Sequence, residues 1–206
     1  MASIDNYITM CYYHITTELK GASIMNWTLP GTVIPINKAD AVNIENQMAA
    51  MFMGGGILLG QICNITGLEP YTVQNWVKRG FLPPPEQKHY NLNQLCRIIN
   101  INMLKKTLLM EQIVGLLGYI NGSLTDTSDD IIDDSKLYFM FVRLAATAPS
   151  LRDPSEGDAA IAEILKDYVE PVAGAKDRVA KVLRIMLTAW AAARLHDAAN
   201  LLACEL

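Results

Sequence analysis

The stretch ILLGQICNITGLEPYTVQNWVKRGFLPPP, residues 57–85, constrains the fold more than any other part of the chain. Two short runs of helical periodicity stand on either side of one glycine, and three prolines close the segment. In the first run, Leu59–Thr66, Ile62 and Ile65 fall on one face. Gly67 follows where a tight turn needs a positive φ, which only glycine adopts at little cost. Leu68 is placed to plug the junction between the two runs. Glu69-Pro70 opens the second run, because proline is tolerated in a helix's first turn. That run, Tyr71–Arg79, sets Val73, Trp76 and Val77 on one side. Thr72, Gln74, Asn75, Lys78 and Arg79 lie on the other. Gly80 ends it, Phe81-Leu82 reads as extended, and Pro83–Pro85 gives a stiff exit. The pattern predicts two short helices packed across a tight turn.

The next residues extend the unit. Glu86–Tyr90 is long enough only for a very short wing. Asn91 with Gln94 matches a capping box. Leu95, Ile98, Ile99, Asn102 and Met103 carry a helix to Lys105-Lys106, and Met110, Ile113, Val114 and Leu117 mark one more. Residues 57–118 hold six basic and three acidic side chains. The first 56 residues hold two against four, and those from Tyr119 onward nine against fourteen. The basic excess thus falls on the two-helix unit, as attraction to phosphate requires, within a chain of net charge −4. The polar side of the second helix carries groups that hydrogen-bond to base edges and phosphates.

Taken together, GQICNITGLEPYTVQNWVKRGFLPPP, the KHY that follows it and the helix pair resemble the DNA-binding head of MerR-type transcriptional regulators, closest to a MerR-like branch of Gram-positive bacteria. The resemblance covers Ile57 to Leu117. It rests on the joint spacing of Gly60, Gly67-Leu68, Thr72-Val73, Gly80-Phe81-Leu82-Pro83-Pro84, Tyr90, Met110 and Ile113. It implies a homodimer with each recognition helix in a major groove and each wing against flanking backbone or minor groove. It places Thr72, Gln74, Asn75 and Lys78 where the family touches DNA from the second helix, and Lys88 and Tyr90 on the wing's Arg-x-Tyr positions, with Lys105 and Lys106 near the backbone-contacting residues. Arg79 on the polar side of the second helix and His89 in the wing are further candidate contacts by their own chemistry. The chain departs from the family pattern at Gln74 (usually arginine), at Asn75 (often tyrosine), in a wing several residues short, and in the absence of the long dimerising helix.

Flanking segments read as helices. Residues 4–20 repeat Ile4, Ile8, Cys11, Ile15 and Leu19 at spacings of three and four, with Ser3 as cap and Gly21 as stop. Gly21–Asn37 reads as an extended arm that lays Trp27, Val33 and Ile36 on another surface. A helix from after Asn37 to about Met53 presents Val42, Met48, Ala49 and Phe52, and Gly54-Gly55-Gly56 terminates it. Asp129, Asp130, Asp133 and Asp134 suit the positive end of a helix dipole. The helix that follows, containing LYFMFVRLAATA, is apolar all round apart from Arg143 and belongs in a core or a dimer interface. Pro149–Gly157 is expected to be a linker. A helix is expected over Asp158–Glu170, stopped by Pro171, and another over Lys176–Leu202 with Val179, Val182, Leu183, Met186 and Trp190 inward. The fold class is therefore all-α: a MerR-like winged helix-turn-helix head with a minimal wing, flanked by N-terminal and C-terminal helices. The domains are residues 1–56, 57–118 and 119–206, the last for dimerisation or effector binding.

No catalytic constellation accompanies His14, His89 or His196, so no enzyme, cofactor or metal site is expected. Cys11 and His14 have ligand spacing but no second pair. The scattered Cys11, Cys63, Cys96 and Cys204 suit buried thiols in a reducing cytoplasm. No signal peptide or membrane span is read. The expected function is a cytoplasmic, homodimeric, DNA-binding transcriptional regulator. A small-molecule effector is possible, with Met10, Met25, Met140 and Met186 as candidate pocket residues. The alternative is a non-enzymatic protein-interaction module that keeps the head fold without DNA affinity, favoured by the acidic total, Gln74 and the clipped wing.

Overall fold

Helical periodicity dominates the sequence, and helices dominate the fold. The computed structural model describes residues 26–122, 124, 129–147 and 154–204. The expected helix over 4–20, with Cys11 and His14, lies outside them, as do Met10 and Met25. The described residues open with strands β1 (Asn26–Thr28) and β2 (Pro35–Asn37), then a 3₁₀ turn (Lys38–Val42) and α1 (Ile44–Ala50). Next come β3 (Ile57–Leu58), α2 (Leu59–Thr66), α3 (Pro70–Lys78), β4 (His89–Tyr90), α4 (Leu92–Leu104) and α5 (Met110–Asn121). The remaining helices are α6 (Asp134–Thr147), α7 (Pro154–Ile164) and α8 (Ala175–Cys204). The architecture is all-α with two small antiparallel β pairs, β1 with β2 and β3 with β4. No helix among the described residues is long and apolar enough to cross a membrane.

α4 is the axis. Leu95, Ile98, Ile99, Ile101 and Leu104 are fully buried, and α6 packs along it through Leu137, Tyr138, Phe141 and Leu144. α8 closes the other side with Val179, Val182, Leu183 and Met186, all fully buried. Trp190 meets the Phe141 ring edge-on at 6.2 Å between centroids. One continuous apolar cluster runs from Trp27 to Ala189. It draws on all three expected segments. The apolar run of α6 sits in the core, as its sequence implied, while Arg143 reaches outward to Glu45 at 3.7 Å.

α4 also carries a row of polar side chains that reach into the surrounding loops. Asn91 and Gln94 cap its start reciprocally, at 2.9 Å in each direction. Gln94 Nε2 donates to the carbonyls of Pro83 (3.2 Å) and Pro84 (2.8 Å). Arg97 Nε donates to Phe81 O at 3.0 Å, and its Nη1 pairs with Asp134 at 3.1 Å. Asn102 Nδ2 donates to Gly31 O (2.9 Å) and Thr66 O (3.0 Å).

Several expectations need correction. From Asn26 onward the extended arm is a hairpin. Trp27 and the fully buried Leu29 anchor it, whereas Val33 is 38% exposed. Gly31 turns the hairpin at φ 75°, so close to α4 that a Cβ would lie 2.6 Å from Ile99 O. The helix after Asn37 starts as 3₁₀, with Asn37 Oδ1 accepting from Ala39 N at 3.1 Å. The switch to α geometry at Asn43 changes the period and rotates the inward face. Val42 is consequently 70% exposed and Ala49 is on the surface, while Ala41, Ile44 and Met48 are inside. Pro154 begins α7 where a linker was expected, consistent with proline at a first helical position, and α7 ends at Ile164, well before Pro171. Met186 is core, and Cys204 is exposed, unlike the buried Cys96, whose thiol burial pushes well above the usual range.

The segment before α6 concentrates carboxylates. Asp134 opens the helix and is buried, and Asp133 pairs with Lys136 at 3.0 Å. Burial, then the charges of Asp134, Asp129 and Asp133, push the Asp130 carboxyl up to about 6, with Arg97 opposing. A carboxyl whose folded pKa is raised favours folding only while it holds its proton. That advantage is present below about 4 and is lost as pH rises through about 6. Asp130→Asn is therefore expected to stabilise the protein at neutral pH by about 1 kcal/mol, after allowance for solvent screening of a half-exposed group. The gain should vanish in acid. Urea titrations across that pH window check it, and a pH-independent effect contradicts it.

Candidate nucleic-acid interface

The two-helix unit forms as its sequence dictates. Gln61 Oε1 accepts from Leu58 N at 2.8 Å and fixes the start of α2. Gly67 closes the helix at φ 69°, its N–H on Cys63 O at 2.8 Å. Thr66 Oγ1 donates to Ile62 O at 2.7 Å, which draws the hydroxyl into the turn. Leu68 is buried at the junction, and Pro70 opens α3. The Asn102 amide ties Thr66 O to the first hairpin, so the turn is held from outside as well.

α3 is sharply two-faced. Val73 is fully buried and Trp76 is 4% exposed. Gln74, Asn75, Lys78 and Arg79 are exposed, and Thr72 is half-buried. Tyr71, absent from the expected contacts, is 71% exposed. Its spacing with Gln74, Asn75 and Lys78 puts all four on one helix face, a signal present in the sequence. Gly80 ends the helix at φ 72°, and the Arg79 guanidinium sits 4.8 Å from the centre of the Phe81 ring. The Lys105 ammonium lies 5.6 Å from the centre of the Trp76 ring. Burial, and then Lys106, lower its pKa.

The segment expected to form a short wing is a two-residue turn. Glu86 and His89 exchange both backbone hydrogen bonds, at 3.0 and 2.8 Å. Gln87 and Lys88 between them have φ of 47° and 69°. This is the signature of a type I′ turn, whose preferred sequence is Asn-Gly. Replacing Gln87-Lys88 with Asn-Gly should relieve left-handed strain and raise stability by about 1 kcal/mol. Urea denaturation measures it, and no gain would show the turn to be relaxed. Lys88 and His89 are exposed, with His89 Nδ1 donating to Gln87 O at 3.0 Å.

Tyr90 does not fit its expected role as a contact residue. It pairs with Ile57 across β3–β4, its side chain points opposite to that of His89, and it is 3% exposed. Burial, and then Cys63, push its phenol above the usual range. Two of the basic residues counted toward phosphate binding are also engaged elsewhere. Arg97 is 4% exposed and bound to Asp134, and Lys106 Nζ pairs with Asp197 of α8 at 2.9 Å. Lys78, Arg79, Lys88 and Lys105 make no ion pair among the described residues.

Residues 59–141 match the family described as "Domain of unknown function (DUF1836)". That span begins with the first residue of α2 and runs into α6, so it takes in α3, the Glu86–His89 turn and the Arg97–Asp134 pair. The chain is also 27% identical over 116 residues to "Uncharacterized protein YkrK" of Bacillus subtilis (strain 168). The aligned part is 54% of this chain and 50% of that protein. The chain thus spans about half the length of this curated relative. No solved structure matches the chain.

Proposed function

We propose that the protein is a DNA-binding transcriptional regulator that acts as a homodimer, with a MerR-like winged helix-turn-helix head and α3 in the major groove. The observation that carries this reading is the division of α3. Val73 and Trp76 fix one face in the core, while Tyr71, Gln74, Asn75 and Lys78 project from the other. A rigidly held helix with an exposed amide-rich face suits the reading of base edges. Lys78, Arg79, Lys88 and Lys105 supply the phosphate contacts, and the exposed Leu195 and Leu202 near the end of α8 suit a dimer surface.

The test is a salt-series titration of the full chain against genomic and random duplexes. Lys78→Glu combined with Lys88→Glu should weaken binding at least about tenfold and reduce the salt slope by about two units. Unchanged affinity in that double variant would sink the reading.

One set of contacts favours the alternative of a non-enzymatic protein-interaction module. Arg97 and Lys106 are tied to aspartates of α6 and α8, which lowers the free positive charge around the head. Salt-independent, weak DNA binding in the same titration, with a stable protein partner recovered by pull-down, selects that module.

A further inference from the structure

We propose that two copies of this chain pair by reciprocal exchange: the far end of α8 in each copy seats in the groove between α5 and α8 of the other. This pairing gives the proposed homodimer, on which it rests, a specific surface, and it requires no DNA.

The decisive feature is the end of α8. The helix runs from Ala175 to Cys204, but no described side chain beyond Ala193 is buried. That end is nevertheless apolar, with Leu195 74% and Leu202 66% exposed. Its apolar residues are not scattered. Ile185, Thr188, Ala192, Leu195, Ala199 and Leu202 follow one another in steps of three and four, and all six are exposed. Such spacing draws a straight seam, the pattern by which one helix packs along another. The core uses a different set, with Val179, Val182, Leu183, Met186 and Ala193 turned inward. The seam is therefore surplus to the fold of one copy, and a continuous exposed apolar surface of this kind marks a contact.

The groove lies where the seam begins. It encloses about 450 Å³, and Leu108, Leu116, Tyr119, Lys181, Val182 and Ile185 are among its lining residues. Gly115 also lines it, and nothing lies within 4 Å of where its Cβ would be, which leaves room for a helix to lie close against α5. Ile185 belongs to both groove and seam, so the two form one surface.

Charge selects the occupant and its direction. Lys181 stands exposed in the groove and makes no ion pair among the described residues. The C-terminal end of a helix presents carbonyls without intrahelical partners and a partial negative charge. α8 has no basic residue in its last turn to offset that charge. Antiparallel pairing, with a two-fold axis at the level of Ala193 and Arg194, brings the end of one α8 to Lys181 of the other. It sets Ile185 against Leu202, Thr188 against Ala199 and Ala192 against Leu195, each contact made twice as two-fold symmetry demands. Parallel pairing would instead set Lys181 against Lys181 and leave both grooves empty.

The full chain is tested without DNA, by sedimentation velocity and by disulfide cross-linking. The unaltered protein should be a dimer at about 10 μM, and Leu195→Glu combined with Leu202→Glu should weaken self-association at least about a hundredfold. Both leucines are exposed, so circular dichroism should show the helical content of that variant unchanged. Ile185→Cys with Leu202→Cys, in a chain that also carries Cys11→Ser and Cys204→Ser, should oxidise to a covalent dimer, and neither single cysteine should do so. Within one α8 those two positions are about 25 Å apart, too far for an internal disulfide. A monomer, including one whose groove is covered by residues 4–20, overturns the proposal and the homodimer reading together. A dimer that survives the double glutamate, or that fails to cross-link, overturns the proposal and leaves the homodimer reading standing.

Discussion

Arg97→Met is expected to destabilise the protein by about 3–5 kcal/mol, the usual cost of leaving a buried charge without its partner. Arg97 and Asp134 are 4% and 8% exposed. The guanidinium also satisfies Phe81 O, so the substitution strands a carboxylate and a backbone carbonyl at once. Burial already raises the Asp134 carboxyl above the usual range, and Arg97, followed by a hydrogen bond from Asn121, opposes that rise. Without the arginine the carboxyl rises further. A raised folded pKa means the deficit is greatest where Asp134 must ionise and shrinks as acid protonates it. The variant should therefore recover part of its stability on acidification. Arg97→Met with Asp134→Leu should lose much less, because replacing both members of a buried pair with apolar groups is often close to neutral. Urea denaturation of the two single variants and the double measures the coupling. A cost under about 1 kcal/mol for Arg97→Met would mean water reaches the pair.

Trp76→Ala should cost about 3–5 kcal/mol, as removal of a large buried aromatic generally does. The indole is the largest side chain that α3 contributes to the core. Its face also receives the Lys105 ammonium, a contact worth about 0.5–1 kcal/mol at an exposed site. Trp76→Phe keeps an aromatic face and much of the volume, and should cost distinctly less. The apolar cluster is continuous from the first hairpin to α8, so the loss should appear as a lower midpoint of one cooperative transition. A separate early transition confined to the two-helix unit would show that the unit is energetically detached from α4.

The two-helix unit was legible because its determinants are local. Gly67, Pro70, Gly80 and the Asn91–Gln94 box each act within a few residues, and α2, the turn and α3 stand where those residues put them. The polar face of α3 follows from the same periodicity, apart from Tyr71, which served there only as a helix boundary. What failed to show in the sequence depends on distance along the chain. Arg97 and Asp134 are 37 positions apart, Asn102 and Gly31 are 71, and Lys106 and Asp197 are 91. No periodicity encodes such pairs, so two paired cations were counted as available for phosphate. Tyr90 was misplaced because a two-residue strand gives too little alternation to show which side chain turns inward. Val42 was misplaced by a change from 3₁₀ to α geometry that leaves no mark in composition.

The polar row along α4 has a consequence for how sequences of this fold can diverge. Gln94, Arg97 and Asn102 grip Pro83, Pro84, Phe81, Gly31 and Thr66 through main-chain carbonyls, which every residue type possesses. Apart from Gly31, where any side chain would meet Ile99 of α4, the loops so held answer to one helix for their path and owe it little in side-chain identity. Substitutions can accumulate along their surfaces while their route stays fixed, and α4 bears the concentrated intolerance. Such a division lets the exposed face of α3 change what it touches without changing where it stands.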